Sequence, residues 1–123
     1  MINFFYLFLQ YVDQSSANTA NNISVTQLQQ ILDKNSEEFF RYVPVDEILP
    51  ILERKKILDD WDVTKIREKG QEQERIESLF RIFYKHRRGI DLLTLCQLLQ
   101  KQGVRATQEF GLKMKMELTQ STS

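Results

Sequence analysis

The chain has 123 residues, and its 17 Lys/Arg are balanced by 17 Asp/Glu, so the formal net charge is zero. That length fits one domain rather than two, and the neutral balance argues against a chain built to coat nucleic acid, which carries a clear basic excess. The single cysteine, Cys96, rules out an internal disulfide. The expectation is a cytoplasmic domain held together by apolar packing.

Chain order begins with an apolar run, Ile2, Phe4, Phe5, Tyr6, Leu7, Phe8 and Leu9, continuing weakly to Tyr11 and Val12. It is too short to span a bilayer. It has the length of a signal-peptide core, with Ala17 and Ala20 in the small polar stretch behind it. No Lys or Arg precedes the run, and the domain behind it has no disulfide chemistry. A secretion leader, a packing arm and a misplaced start therefore all stay open. Residues 13–22, DQSSANTANN, lack any large apolar side chain and read as a linker. The expected organisation is an apolar segment and flexible linker over 1–22, a helical domain over 23–118 and a disordered tail over 119–123.

Ser24 is placed to cap a first helix, with Gln27 as its capping-box partner. Leu28, Ile31 and Leu32 form its apolar stripe, and Phe39 and Phe40 extend it beyond a predicted break at Lys34, Asn35 and Ser36. Pro44 suits the first position of a second helix carrying Val45, Ile48, Leu49, Ile51 and Leu52. Pro50 then conflicts with the pattern and predicts a kink or an early end. Asp59 or Asp60 caps a short third helix with Trp61, Val63 and Ile66, which Gly70 stops.

Ile76, Leu79, Phe80 and Phe83 give a fourth helix, which Gly89 ends beyond Lys85, His86, Arg87 and Arg88. The fifth, Ile90 to Gln102, is apolar on most sides and should be the most buried, with Gly103 closing it. From Phe110 to Leu118 the apolar residues alternate like a strand, yet a lone strand would have no partner for its backbone. A sixth helix over about Thr107–Leu118 is preferred, with Gly111 as its weak point. Short connections make neighbouring helices antiparallel around one core.

In that order the helices resemble a caspase-recruitment domain of the death-fold superfamily, over residues 25–118. The resemblance rests on the segment from Val45 to Leu58, whose Ile57-Leu58 pair precedes the capping Asp59-Asp60. It rests also on Val63-Thr64-Lys65-Ile66-Arg67 as a short third helix, on Glu74 to Phe80 as part of the fourth, and on Gly89 with its Leu-rich run as the fifth. The break near Asn35 matches the bent first helix of the family. It implies an all-α, six-helix antiparallel bundle without catalysis, cofactor or metal. It also implies a basic surface on helices one and four (Arg41, Arg81, Lys85 and Arg88) that meets an acidic surface on helices two and three (Asp46, Glu47, Asp59, Asp60 and Asp62). The implied partners are other caspase-recruitment domains, in an adaptor, a caspase or a nucleotide-binding sensor of apoptosis or innate immunity. Head-to-tail self-association is implied as well, since such contacts need not close.

The residues themselves carry no catalytic signature. His86 is the only histidine and has cationic neighbours, and Cys96 sits in the most apolar helix. One His and one Cys make no zinc set, and the isolated glycines form no phosphate loop. Neither a small-molecule substrate nor a transmembrane span is expected. Two other readings remain: a helical nucleic-acid-binding domain using the basic run at 81–88, and a secreted helical effector.

Overall fold

A computed structural model of the chain describes residues 17–120, and the apolar run at 2–12 with its alternative readings lies outside them. Seven helices follow a helical stretch at 17–21: α1 (Val25–Lys34), α2 (Ser36–Tyr42), α3 (Val45–Arg54), α4 (Asp60–Arg67), α5 (Glu72–His86), α6 (Gly89–Gln100) and α7 (Arg105–Gln120). With α1 and α2 as the halves of one bent helix, this is the all-α, six-helix bundle expected.

The capping box of α1 is fully formed. Ser24 Oγ accepts from the Gln27 amide at 3.1 Å, and Gln27 Oε1 accepts from the Ser24 amide at 2.9 Å. The break falls on Asn35, whose side chain is buried. Its amide nitrogen donates to the Ile31 carbonyl at 2.8 Å and to Glu117 Oε2, on α7, at 2.7 Å. Glu117 also accepts from Lys34 at 2.7 Å, which raises the Lys34 ammonium pKa above its ordinary value. The bend is thus fastened by a helix more than eighty residues away in sequence.

Pro44 stands at the N-cap of α3 rather than in its first turn, and Val45 begins the helix. Pro50 neither ends the helix nor divides it. It lies one turn and a half inside and deletes a single backbone donor, while Val45, Ile48, Leu49 and Leu52 are all buried and hold the element in place. The helix ends in a Schellman arrangement. Ile57 N donates to the Leu52 carbonyl and Lys56 N to that of Glu53, both at 3.0 Å, with Lys56 at a φ of 62°.

Asp59 caps α4: its Oδ1 accepts from the Asp62 amide at 2.7 Å. In α5 the buried residues are Ile76, Leu79 and Phe83, at helical spacing. Arg87 and Arg88 are extended and end that helix, so Gly89 is not its stop; it is the first residue of α6. A Cβ on Gly89 would stand 2.1 Å from the Ala20 carbonyl oxygen. From residue 17 onward the expected flexible linker is instead ordered: 17–21 is helical, Ala20 is fully buried, and Ala17 and Ile23 pack on the core. Large apolar side chains were not needed, since a bare glycine opposite lets the chain sit flush.

Helix α6 buries Leu92, Leu93, Leu95, Cys96, Leu98 and Leu99 and is the most enclosed element, as its composition predicts. The alternating segment is helical throughout: Phe110, Met114 and Leu118 face inward, while Leu112 and Met116 are about half exposed. The expected disordered tail is helical as far as Gln120, and 121–123 lie outside the described residues. Gly111, read as a weak point, is where α7 closes on α6. A Cβ there would meet the Cys96 carbonyl oxygen and Leu99 Cβ, each at 2.8 Å.

Candidate protein-interaction surfaces

Helix α5 turns Ile76, Leu79 and Phe83 into the core and leaves Arg81 and Lys85, one turn apart, in solvent. Between α5 and the bent α1–α2 helix runs an open groove of about 370 Å³, lined by Asp33, Phe40, Glu77, Phe80, Arg81, Tyr84 and Lys85. Its floor is aromatic. The Phe80 ring lies 5.1 Å from Phe39 and from Phe40, both edge-on, and stacks on Tyr84 at 5.8 Å. The Tyr84 hydroxyl donates to Asp33 at 3.1 Å, and this bond to a carboxylate raises the phenol pKa above its ordinary value. Gln29 donates to the Tyr84 carbonyl, so the groove wall is tied at two points.

Of the four expected basic residues, Arg81 and Lys85 stand together on this groove. Arg41 is exposed on the last turn of α2, its guanidinium 5.9 Å from the Tyr42 ring centroid, and does not line the groove. Arg88 is separate, at the N-cap of α6, where its backbone amide donates to Asp91. Among the described residues, neither Arg81 nor Lys85 forms an ion pair.

The acidic set divides by use. Asp46 accepts twice from Arg75, at 2.9 and 3.2 Å, and Arg75 also donates to the Lys69 carbonyl, joining α3 to the α4–α5 turn. Asp62 accepts from Arg87 at 2.9 Å and from the Asp59 amide at 3.2 Å, while Asp59 is occupied as the α4 cap. Glu47 on α3 and Asp60 on α4 remain exposed and outside every ion pair among the described residues. Sequence reasoning missed Arg75 and Arg87 as structural cations, since their partners lie 29 and 25 residues away and no local spacing marks them.

Residues 29–104, more than half of the chain, match the family model of the caspase recruitment domain. The chain belongs to the caspase recruitment domain (CARD) family. No curated protein and no solved structure gave a match. CARDs are non-catalytic, death-fold modules that act through homotypic protein–protein contacts, and that is the class of activity of this chain.

The match begins within α1 and closes at Val104, so α7 of this CARD lies beyond it although it packs along α6 and fastens the α1–α2 bend. The Cys96 thiol is buried, and loss of solvation pushes its pKa up to about 12. His86 is exposed at the end of α5. Among the described residues no cluster of His, Cys, Asp and Glu could hold a metal, and no helix is long and apolar enough to cross a membrane.

Proposed function

We propose that this CARD recruits or regulates other CARD-containing signalling proteins of apoptosis or innate immunity in the cytoplasm, pairing a basic surface with an acidic one. The observation that carries this reading is an asymmetry in how the charges are used. Arg81 and Lys85 stand on α5 without internal counter-ions, and Glu47 and Asp60 stand likewise on α3 and α4. Asp46, Asp59 and Asp62 are occupied within the fold, so the pairing rests on Glu47 and Asp60 for its acids and on Arg81 and Lys85, with the exposed Arg41 on α2, for its bases. Arg88, at the start of α6, is peripheral. Charges of this exposure set partner choice and encounter rate more than affinity, and the apolar floor of the α5 groove supplies the buried contact. Because the two surfaces occupy different helices, copies join heterologously and the chain of contacts need not close.

The nucleic-acid reading loses ground on one point. Arg87, central to the basic run, spends its guanidinium on Asp62 and the Ile57 carbonyl. Light scattering or sedimentation of the purified chain tests the pairing. Arg81→Glu and Asp60→Lys should each weaken association, and mixing the two reversed proteins should restore part of it. If both reversals associate like the wild type with the same salt dependence, the reading is wrong.

A further inference from the structure

One large apolar side chain takes no part in that pairing. Trp61, the only tryptophan in the chain, is 66% exposed on α4. Tryptophan is costly to leave in water and is enriched where proteins dock. It edges a second groove, of about 450 Å³, between α4 and α5, whose floor is formed by the partly exposed Ile82 with the buried Ile66 beneath it. Lys65, Lys69, Arg81 and Lys85 also line this groove. The Lys65 ammonium lies 5.5 Å from the indole centroid, a cation–π contact that fixes a positive charge beside the ring.

The two acids of the groove are already used. Glu68 pairs with Lys65 at 3.9 Å, and Asp62 is held by Arg87, which does not line the groove. Lys69, Arg81 and Lys85 are left without ion pairs among the described residues. An exposed indole, an aliphatic floor and three uncompensated cations at the rim define the complement: an apolar side chain flanked by carboxylates.

We infer that the α4–α5 groove is a second docking surface, and that its occupant is an acidic segment of a partner protein inserting one aliphatic or aromatic side chain beside Trp61. This goes beyond the pairing of basic and acidic surfaces. It shares Arg81 and Lys85 with that pairing but adds Trp61, Lys65 and Lys69, which the pairing does not need, and it does not use Arg41, Glu47 or Asp60. A nucleic-acid strand would be attracted by the same cations, but the aliphatic floor offers it no stacking partner beyond the single indole, and the net charge of the chain is zero.

Trp61 itself reports the test, because tryptophan emission of the whole chain comes from this one residue. The probe is a short synthetic peptide of Glu and Ser with one central Leu and no aromatic residue, titrated into dilute protein. A saturable change in Trp61 emission is expected. Replacing the central Leu of the peptide by Ala, or introducing Lys69→Glu in the protein, should weaken it about tenfold. Calorimetry should show the peptide lost to Trp61→Ala, with circular dichroism confirming that the variant is folded. Arg41→Glu and Glu47→Lys should leave peptide binding unchanged even where they reduce self-association, so the two readings fail separately. The inference is overturned by an absence of saturable change, by equal binding of the Leu and Ala peptides, or by an oligonucleotide of equal charge binding as well as the peptide. It is overturned too if Trp61 emission shifts with protein concentration alone and the peptide cannot compete, since the groove would then receive a second copy.

Discussion

The guanidinium of Arg87 reaches Asp62 at 2.9 Å and the Ile57 carbonyl at 2.7 Å, so one side chain clamps the end of α5 to the α3–α4 turn and to the cap of α4. Its side chain is 21% exposed and that of Asp62 14%, so solvent screens the pair only partly. Removing Arg87 leaves the mostly buried Asp62 carboxylate with the Asp59 amide but no counter-ion, and takes the side-chain donor from the Ile57 carbonyl. Arg87→Ala should therefore lower stability by about 2 kcal/mol, whereas Arg81→Ala, at an exposed position, should change it by less than about 0.5 kcal/mol. Urea melts of the two variants decide this, and equal effects would mean that the Arg87 contacts contribute no more than a solvated surface charge does.

Lys56 holds a φ of 62° at the end of α3, where the Schellman bonds require a left-handed residue and glycine is the usual occupant. A side chain in that region costs about 1 kcal/mol, and Lys56 is exposed, so no packing offsets it. Lys56→Gly should raise the midpoint of thermal unfolding by several degrees, roughly the shift of 1 kcal/mol in a domain of this size. An unchanged or lower midpoint would mean that the lost side chain contributed contacts which the turn geometry does not reveal.

The local signals were legible wherever donor and acceptor lie within one turn. The Ser24–Gln27 box, the Asp59 cap and the Asn35 break follow from three or four adjacent residues. So does the inward stripe of α5. Tertiary distance hid the rest. Nothing near Asp46 or Asp62 in sequence announces Arg75 or Arg87, and these two arginines take two of the five acids of a cluster whose residue types alone mark all five as available. Glycine was misread for a related reason. Gly89 looked like punctuation, but what selects it is the Ala20 carbonyl arriving from another segment. Pro50 shows the reverse case, a strong local signal overruled by four buried neighbours on α3.

Gly111 tests how closely α7 must approach α6. A methyl group there would stand 2.8 Å from the Cys96 carbonyl oxygen, which is backbone and cannot swing away, and 2.8 Å from Leu99 Cβ. Helix propensity favours alanine by about 1 kcal/mol, whereas overpacking a close contact costs about 1–3 kcal/mol. The clash should win, because both obstructing atoms belong to the most buried helix. Gly111→Ala is expected to destabilise the domain by about 1 kcal/mol net in chemical denaturation, and a stabilised variant would show that α7 is free to shift.

Cys96 is enclosed by α6 and α7, and its thiol holds its proton up to about pH 12, against an ordinary value of 9.0. At pH 8 that separation leaves roughly a thousandfold less thiolate in the folded chain than in the unfolded one. Iodoacetamide should therefore label native protein only at the rate at which it opens, and labelling should accelerate sharply in denaturant. The same shift sets a sign for stability. The unfolded thiol releases its proton near pH 9 while the folded thiol retains it, so the contribution of the buried thiol is full below pH 9 and declines as pH rises from 9 towards 12. Cys96→Ala should flatten that alkaline decline relative to the wild type, although it leaves a small cavity and lowers stability at pH 7. Fast labelling of native protein at pH 8, at a rate insensitive to denaturant, would show that the α6–α7 contact admits solvent and would remove the basis for the steep alkaline fall.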